Sequence, residues 1–129
     1  MARRVLIVED EILVALDMED ALVDAGYEVV GIAADRREAL SIASNAEVAL
    51  VDLNLRDGPT GIGIGMELSD KFGVRVLFLT ANPSSITMAV TGTVGCLGKP
   101  CPPEEVCAAI DFAIERSSKR APEALNLFS

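Results

Sequence analysis

With 129 residues, half of them apolar, the chain is sized for one domain with a real hydrophobic core. Its 20 Asp and Glu against 11 Lys and Arg leave no basic footprint for nucleic acid. The absence of histidine excludes a Ser-His-Asp triad, a Cys-His pair and a phosphohistidine.

Met1-Ala2-Arg3-Arg4 runs straight into the apolar Val5-Leu6-Ile7-Val8, too short for a secretory leader, and residues 4–8 read as a buried strand. No apolar run reaches the roughly 18 residues of a membrane span, so a cytoplasmic protein without membrane contact is expected. Residues 11–25 read as a helix with Val14, Met18, Ala21, Leu22 and Ala25 inward and Asp17, Asp20 and Asp24 wet. Gly26 stands where a helix ends in a left-handed residue. Residues 27–33 predict a second strand, and 35–45 a helix capped by Asp35 with Glu38 three positions later.

Residues 48–51 predict a third strand that ends at Asp52, followed by a loop and a helix near 60–72. Residues 74–79 make a fourth strand ending at Thr80, with a short helix near 83–91 after it. A weak fifth strand over 94–98 leads to Lys99-Pro100, and a last helix runs near 103–117 with prolines at its start. Residues 118–129 look like a flexible tail beyond a domain of residues 1–117. Five strands alternating with five helices imply an α/β fold, a parallel sheet covered on both faces. In such sheets the functional groups gather at the carboxyl ends of the strands.

Strand one ends in Glu9-Asp10-Glu11, strand three in Asp52, strand four in Thr80 and strand five near Lys99. With the order 2-1-3-4-5, Glu9, Asp10 and Asp52 share one pocket. Two carboxylates about 4 Å apart repel by roughly 4 kcal/mol at an effective dielectric of 20, and a hard cation such as Mg²⁺ would offset that. Singly, each residue has an ordinary explanation: acidic residues favour helix starts, and threonine is a common cap. Jointly, a carboxylate nucleophile, an ion, an ammonium and a hydroxyl suit phosphoryl transfer to an aspartate.

The sequence resembles the receiver domain of two-component response regulators, the CheY-like single-domain kind, over about residues 3–117. Val5-Leu6-Ile7-Val8-Glu9-Asp10-Glu11 looks like the opening strand and acidic pair, and Val51-Asp52-Leu53-Asn54-Leu55 like the phosphoacceptor segment. Leu79-Thr80-Ala81-Asn82 and Gly95-Cys96-Leu97-Gly98-Lys99-Pro100 look like the switch and lysine segments.

The resemblance implies a flavodoxin-like fold and a stand-alone regulator, a phosphoacceptor rather than an enzyme with turnover on a separate substrate. Asp52 would accept phosphate from a sensor histidine kinase. Asp10, Glu9, Asp52 and the carbonyl of Asn54 would hold Mg²⁺. Thr80 and Lys99 would contact the phosphoryl group, while Asn54 and Asn82 would tune its loss. A cis Lys99-Pro100 bond is expected. A phosphotransfer protein or downstream regulator is a further partner class, and a monomer or weak homodimer the expected state. The output would be switched binding, a phosphate sink or a relay.

Cys96 stands where many receivers carry an aromatic, so either the Thr80 movement is read differently or the switch is weak, and output is expected mainly on the helix at 83–91 and its flanking loops. Cys96, Cys101 and Cys107 match no common zinc spacing and read as reduced, packing thiols. Gly58, Gly61, Gly63 and Gly65 match no nucleotide-binding fingerprint and predict a mobile stretch over 57–66. Phe112 lies off the stripe of Val106, Ile110 and Ala113, with partial burial against the tail expected and a docking patch on the last helix and fifth strand as the alternative. Other readings are a phosphorylation-independent pseudo-receiver that only binds protein, and a flavin carrier or Mg²⁺-dependent phosphatase. The few aromatics argue against flavin, and Asn54 stands where a phosphatase would place a second carboxylate.

Overall fold

The structure, a computed structural model, describes residues 3–53, 55, 60–81, 93–115 and 125–127. The strands are β1 (Arg4–Val8), β2 (Glu28–Ala33), β3 (Val48–Asp52), β4 (Arg75–Thr80), β5 (Thr93–Gly98) and β6 (Leu125–Leu127). The helices are α1 (Ile12–Asp24), α2 (Arg36–Ile42), α3 (Gly61–Phe72) and α4 (Pro103–Glu115). The sheet runs β2-β1-β3-β4-β5-β6, and its first five strands are parallel in the expected 2-1-3-4-5 order. Both faces are covered, which is why β1 and β3 are near-continuous apolar runs rather than alternating ones.

Strand periodicity divides the core in two. Ile7, Leu50, Leu77 and Leu97 pack with Ala15 and Leu22 of α1 and Val106 and Ile110 of α4. Leu6, Ala49, Phe78 and Cys96 pack with Ala39 of α2 and Ile64 and Leu68 of α3. The Asp35 side chain accepts from the Glu38 amide at 2.9 Å, and Glu38 in return accepts from the Ala34 amide at 3.1 Å. Gly26 takes φ +95° directly after the cap of α1.

Several expectations are corrected. In α1 the buried residues are Ala15 and Leu22, whereas Val14 and Ala25 are exposed. The run from Ile12 to Leu16 is apolar at every position, so periodicity could not single out the inward face. The glycines of α3 do not simply loosen it. A Cβ on Gly65 would lie 2.5 Å from Phe78 Cζ, so the bare backbone lets this helix approach β4. Within the stretch read as a tail, Leu125–Leu127 pairs antiparallel with β5, making a six-stranded sheet. Phe112 is buried rather than half-buried, in the same cluster as Leu125. Four helices are described. The helix expected at 83–91, Asn54, Asn82 and residues 57–59 lie outside the described residues.

Candidate functional site

Parallel pairing brings the carboxyl ends of β1, β3, β4 and β5 to one edge. The Glu9 amide donates to the Ala33 carbonyl at 2.9 Å and the Leu53 amide to the Leu79 carbonyl at 3.1 Å. The Lys99 amide donates to the Thr80 carbonyl at 2.7 Å, so the ladder continues past β5 and fixes where Lys99 starts. Lys99-Pro100 is cis, as the resemblance implied.

The side chains then converge. Carboxylate oxygens of Glu9, Asp10 and Asp52 lie within 4.8 Å of one another. Lys99 Nζ donates to Asp52 Oδ2 at 3.0 Å and to Glu9 Oε1 at 3.2 Å. The Asp10 amide donates to Glu9 Oε2 at 3.1 Å. Glu9, Asp52 and Thr80 are buried, with Asp10 part-exposed at the rim. The Gly61 end of α3 packs directly over the Asp52–Leu53 backbone.

The electrostatics follow from this crowding. Burial, then the hydrogen bond and charge of Asp52, push the Glu9 carboxyl up to about 7 against the pull of Lys99. For Lys99, burial works against the charged form, yet its contacts with Asp52 and Glu9 hold the ammonium above its usual range. Among the described residues one ammonium faces three carboxylates, which leaves excess negative charge at this edge. That donor set, all hard oxygen, fits a divalent cation such as Mg²⁺, with Glu9, Asp10 and Asp52 as the residues that would hold it.

Of the residues singled out from the sequence, Glu9, Asp10, Asp52 and Lys99 are brought together, and Thr80 ends the neighbouring strand. The direct Glu9–Lys99 contact was not foreseen, because nothing in the sequence says which acid a lysine on another strand will choose. The role of Gly61 was also missed, its only signal being a glycine where a helix starts.

A family model for the response regulator receiver domain matches residues 5–111, and the chain belongs to that family. Among relatives, it is 37% identical over 131 residues to the phyllosphere-induced regulator PhyR of Methylorubrum extorquens, covering 98% of this chain and 49% of that protein. The solution structure of the Erythrobacter litoralis PhyR receiver domain is 30% identical with a TM-score of 0.76, over 94% of this chain and 97% of that one. A Bartonella quintana PhyR, described as an anti-anti-sigma factor, is 32% identical with a TM-score of 0.75, over 88% and 48% respectively. The chain therefore spans about half the length of full-length PhyR relatives. Among the described residues no helix is long and apolar enough to cross a membrane.

Proposed function

We propose that this receiver domain accepts a phosphoryl group on Asp52 from a histidine kinase, in a Mg²⁺-dependent reaction, and thereby switches a protein–protein contact. The observation that carries the reading is Lys99 Nζ held between Asp52 and Glu9, with Asp10 at the rim. A carboxylate oxygen of Asp52 attacks phosphorus in line; the P–N bond to the donor imidazole breaks as the P–O bond forms. Lys99 is already within reach of the nucleophile and transfers its hydrogen bond to a phosphoryl oxygen. The Thr80 hydroxyl, at the next strand end, donates to another. Mg²⁺, when bound by Glu9, Asp10, Asp52 and the Asn54 carbonyl, would supply the charge that neutralises the phosphoryl oxygens. Turnover is limited to this self-phosphorylation and its hydrolytic reversal.

The kinase face is best placed on α1. Ile12 is 60% exposed, Leu13 75% and Leu16 42%, an apolar patch that starts beside the acidic edge. The anti-anti-sigma description belongs to a chain about twice as long, so we take from it only the kind of output, a protein-binding switch.

The test is an amide NMR titration with Mg²⁺ and beryllofluoride, which stands in for the aspartyl phosphoryl group. Shifts spreading from Asp52 to Thr80 and Lys99, absent in Asp52→Asn, are expected. Absence of shifts in the wild type at saturating ligand would favour a module that binds partners without phosphate.

A further inference from the structure

We infer that the outer edge of β5 is a strand-acceptor site, and that Leu125–Leu127 is its tethered, displaceable ligand. In the 2-1-3-4-5 order β5 would end the sheet with a row of unpaired backbone groups, a standing invitation to another chain. Here β6 fills that edge in antiparallel register, Leu97 opposite Leu125, Cys96 opposite Asn126 and Gly95 opposite Leu127.

The side chain at the first of these positions gives the site its selectivity. Leu125 is 6% exposed and lies in the cluster that holds Leu97 and Phe112. Facing residues of an antiparallel pair share one side of the sheet, so Leu125 and Leu97 sit together under α4. This explains Phe112, which falls off the stripe that buries Val106, Ile110 and Ala113 yet is only 8% exposed. The acceptor thus offers main-chain pairing plus one apolar seat, the recognition mode of strand addition. It fits an extended segment that presents a leucine to the Phe112 side.

A three-residue strand brings few ladder bonds, so its docking is expected to open well below the cost of global unfolding. While docked, it closes the edge next to Lys99 to any other strand.

The experiment compares amide exchange in the full chain, Leu125→Asp and a variant ending at Ala124. Exchange across Gly95–Leu97 is expected to rise about tenfold or more in both variants, with Leu6 and Leu50 unchanged. A peptide of residues 124–129, added to the shortened protein, is expected to restore protection, and the same peptide with aspartate for Leu125 is not. Unchanged exchange at β5 in both variants would overturn the proposal. So would loss of protection at Leu6 and Leu50, since the segment would then be part of the core and not a ligand.

Discussion

Gly61 lies so close above the phosphoacceptor strand that a Cβ there would meet the Asp52 carbonyl oxygen at 2.3 Å and Leu53 Cα at 2.7 Å. The contact is with backbone, which cannot swing aside. Gly61→Ala is therefore expected to destabilise by about 1–3 kcal/mol, the usual cost of overpacking. Gly63 is two residues on, exposed, with nothing within 4 Å of its would-be Cβ. Gly63→Ala is expected to stabilise by about 0.5–1 kcal/mol through helix propensity alone. Urea denaturation of the two variants checks the opposite signs.

The acidic edge makes the metal-free protein pH-sensitive in a definite direction. Glu9 is pushed from 4.5 up to about 7 by burial and by Asp52. A carboxyl raised on folding contributes stability that is fully present below the unfolded value and is lost as pH rises through the folded one. Glu9 is thus expected to make the metal-free fold more stable near pH 5 than near pH 8. Saturating Mg²⁺, which needs ionised carboxylates, flattens or reverses that slope. In Asp52→Asn the slope shrinks, because two of the influences raising Glu9 come from Asp52. Thermal melts across pH 4.5–8, with Mg²⁺ and with chelator, measure all three.

Lys99→Met removes the ammonium that contacts both Glu9 and Asp52. Leaving two buried acids without it is expected to cost about 1–3 kcal/mol in the absence of metal, below the full buried-pair value because Lys99 is 30% exposed. Added Mg²⁺ is expected to recover more stability in the variant than in the wild type, read as a larger rise in Tm.

Tyr27 is the only tyrosine in the chain, so absorbance at 295 nm reports it alone. Its hydroxyl donates to Asp111 Oδ1 at 2.6 Å and approaches the Cys107 carbonyl at 3.1 Å. Burial, then the bond and charge of Asp111, hold its pKa well above the ordinary 10. The associated stability is present below pH 10 and is lost as pH climbs beyond it. Ionisation is expected only with alkaline unfolding, and Tyr27→Phe is expected to cost about 1–2 kcal/mol.

Much of this was legible in the residues. The β-strand ends at Glu9, Asp52, Thr80 and Lys99 could be read because a doubly wound sheet leaves little choice about where such ends meet. The Asp35–Glu38 cap is local and was equally readable. What failed was non-local or degenerate. In the first turns of α1, the unbroken apolar run from Ile12 to Leu16 hid the inward face. Leu125 gains its meaning only from Leu97 and Phe112, which are distant in sequence. Gly61 and Gly65 look like flexibility in a string of letters and act as clearance once neighbouring strands are in place.

The sheet has two poles with separate duties. At one lie Glu9, Asp10, Asp52 and Lys99; at the other, Arg3 near the start of β1 pairs with Asp111 and Glu115 of α4, beside Tyr27. The first pole concentrates mutual repulsion, and the second holds opposite charges together. Sequence drift at the second pole can raise or lower the fold's robustness while the reacting groups stay in place. A variant series there would serve as a dial for protein lifetime independent of signalling chemistry.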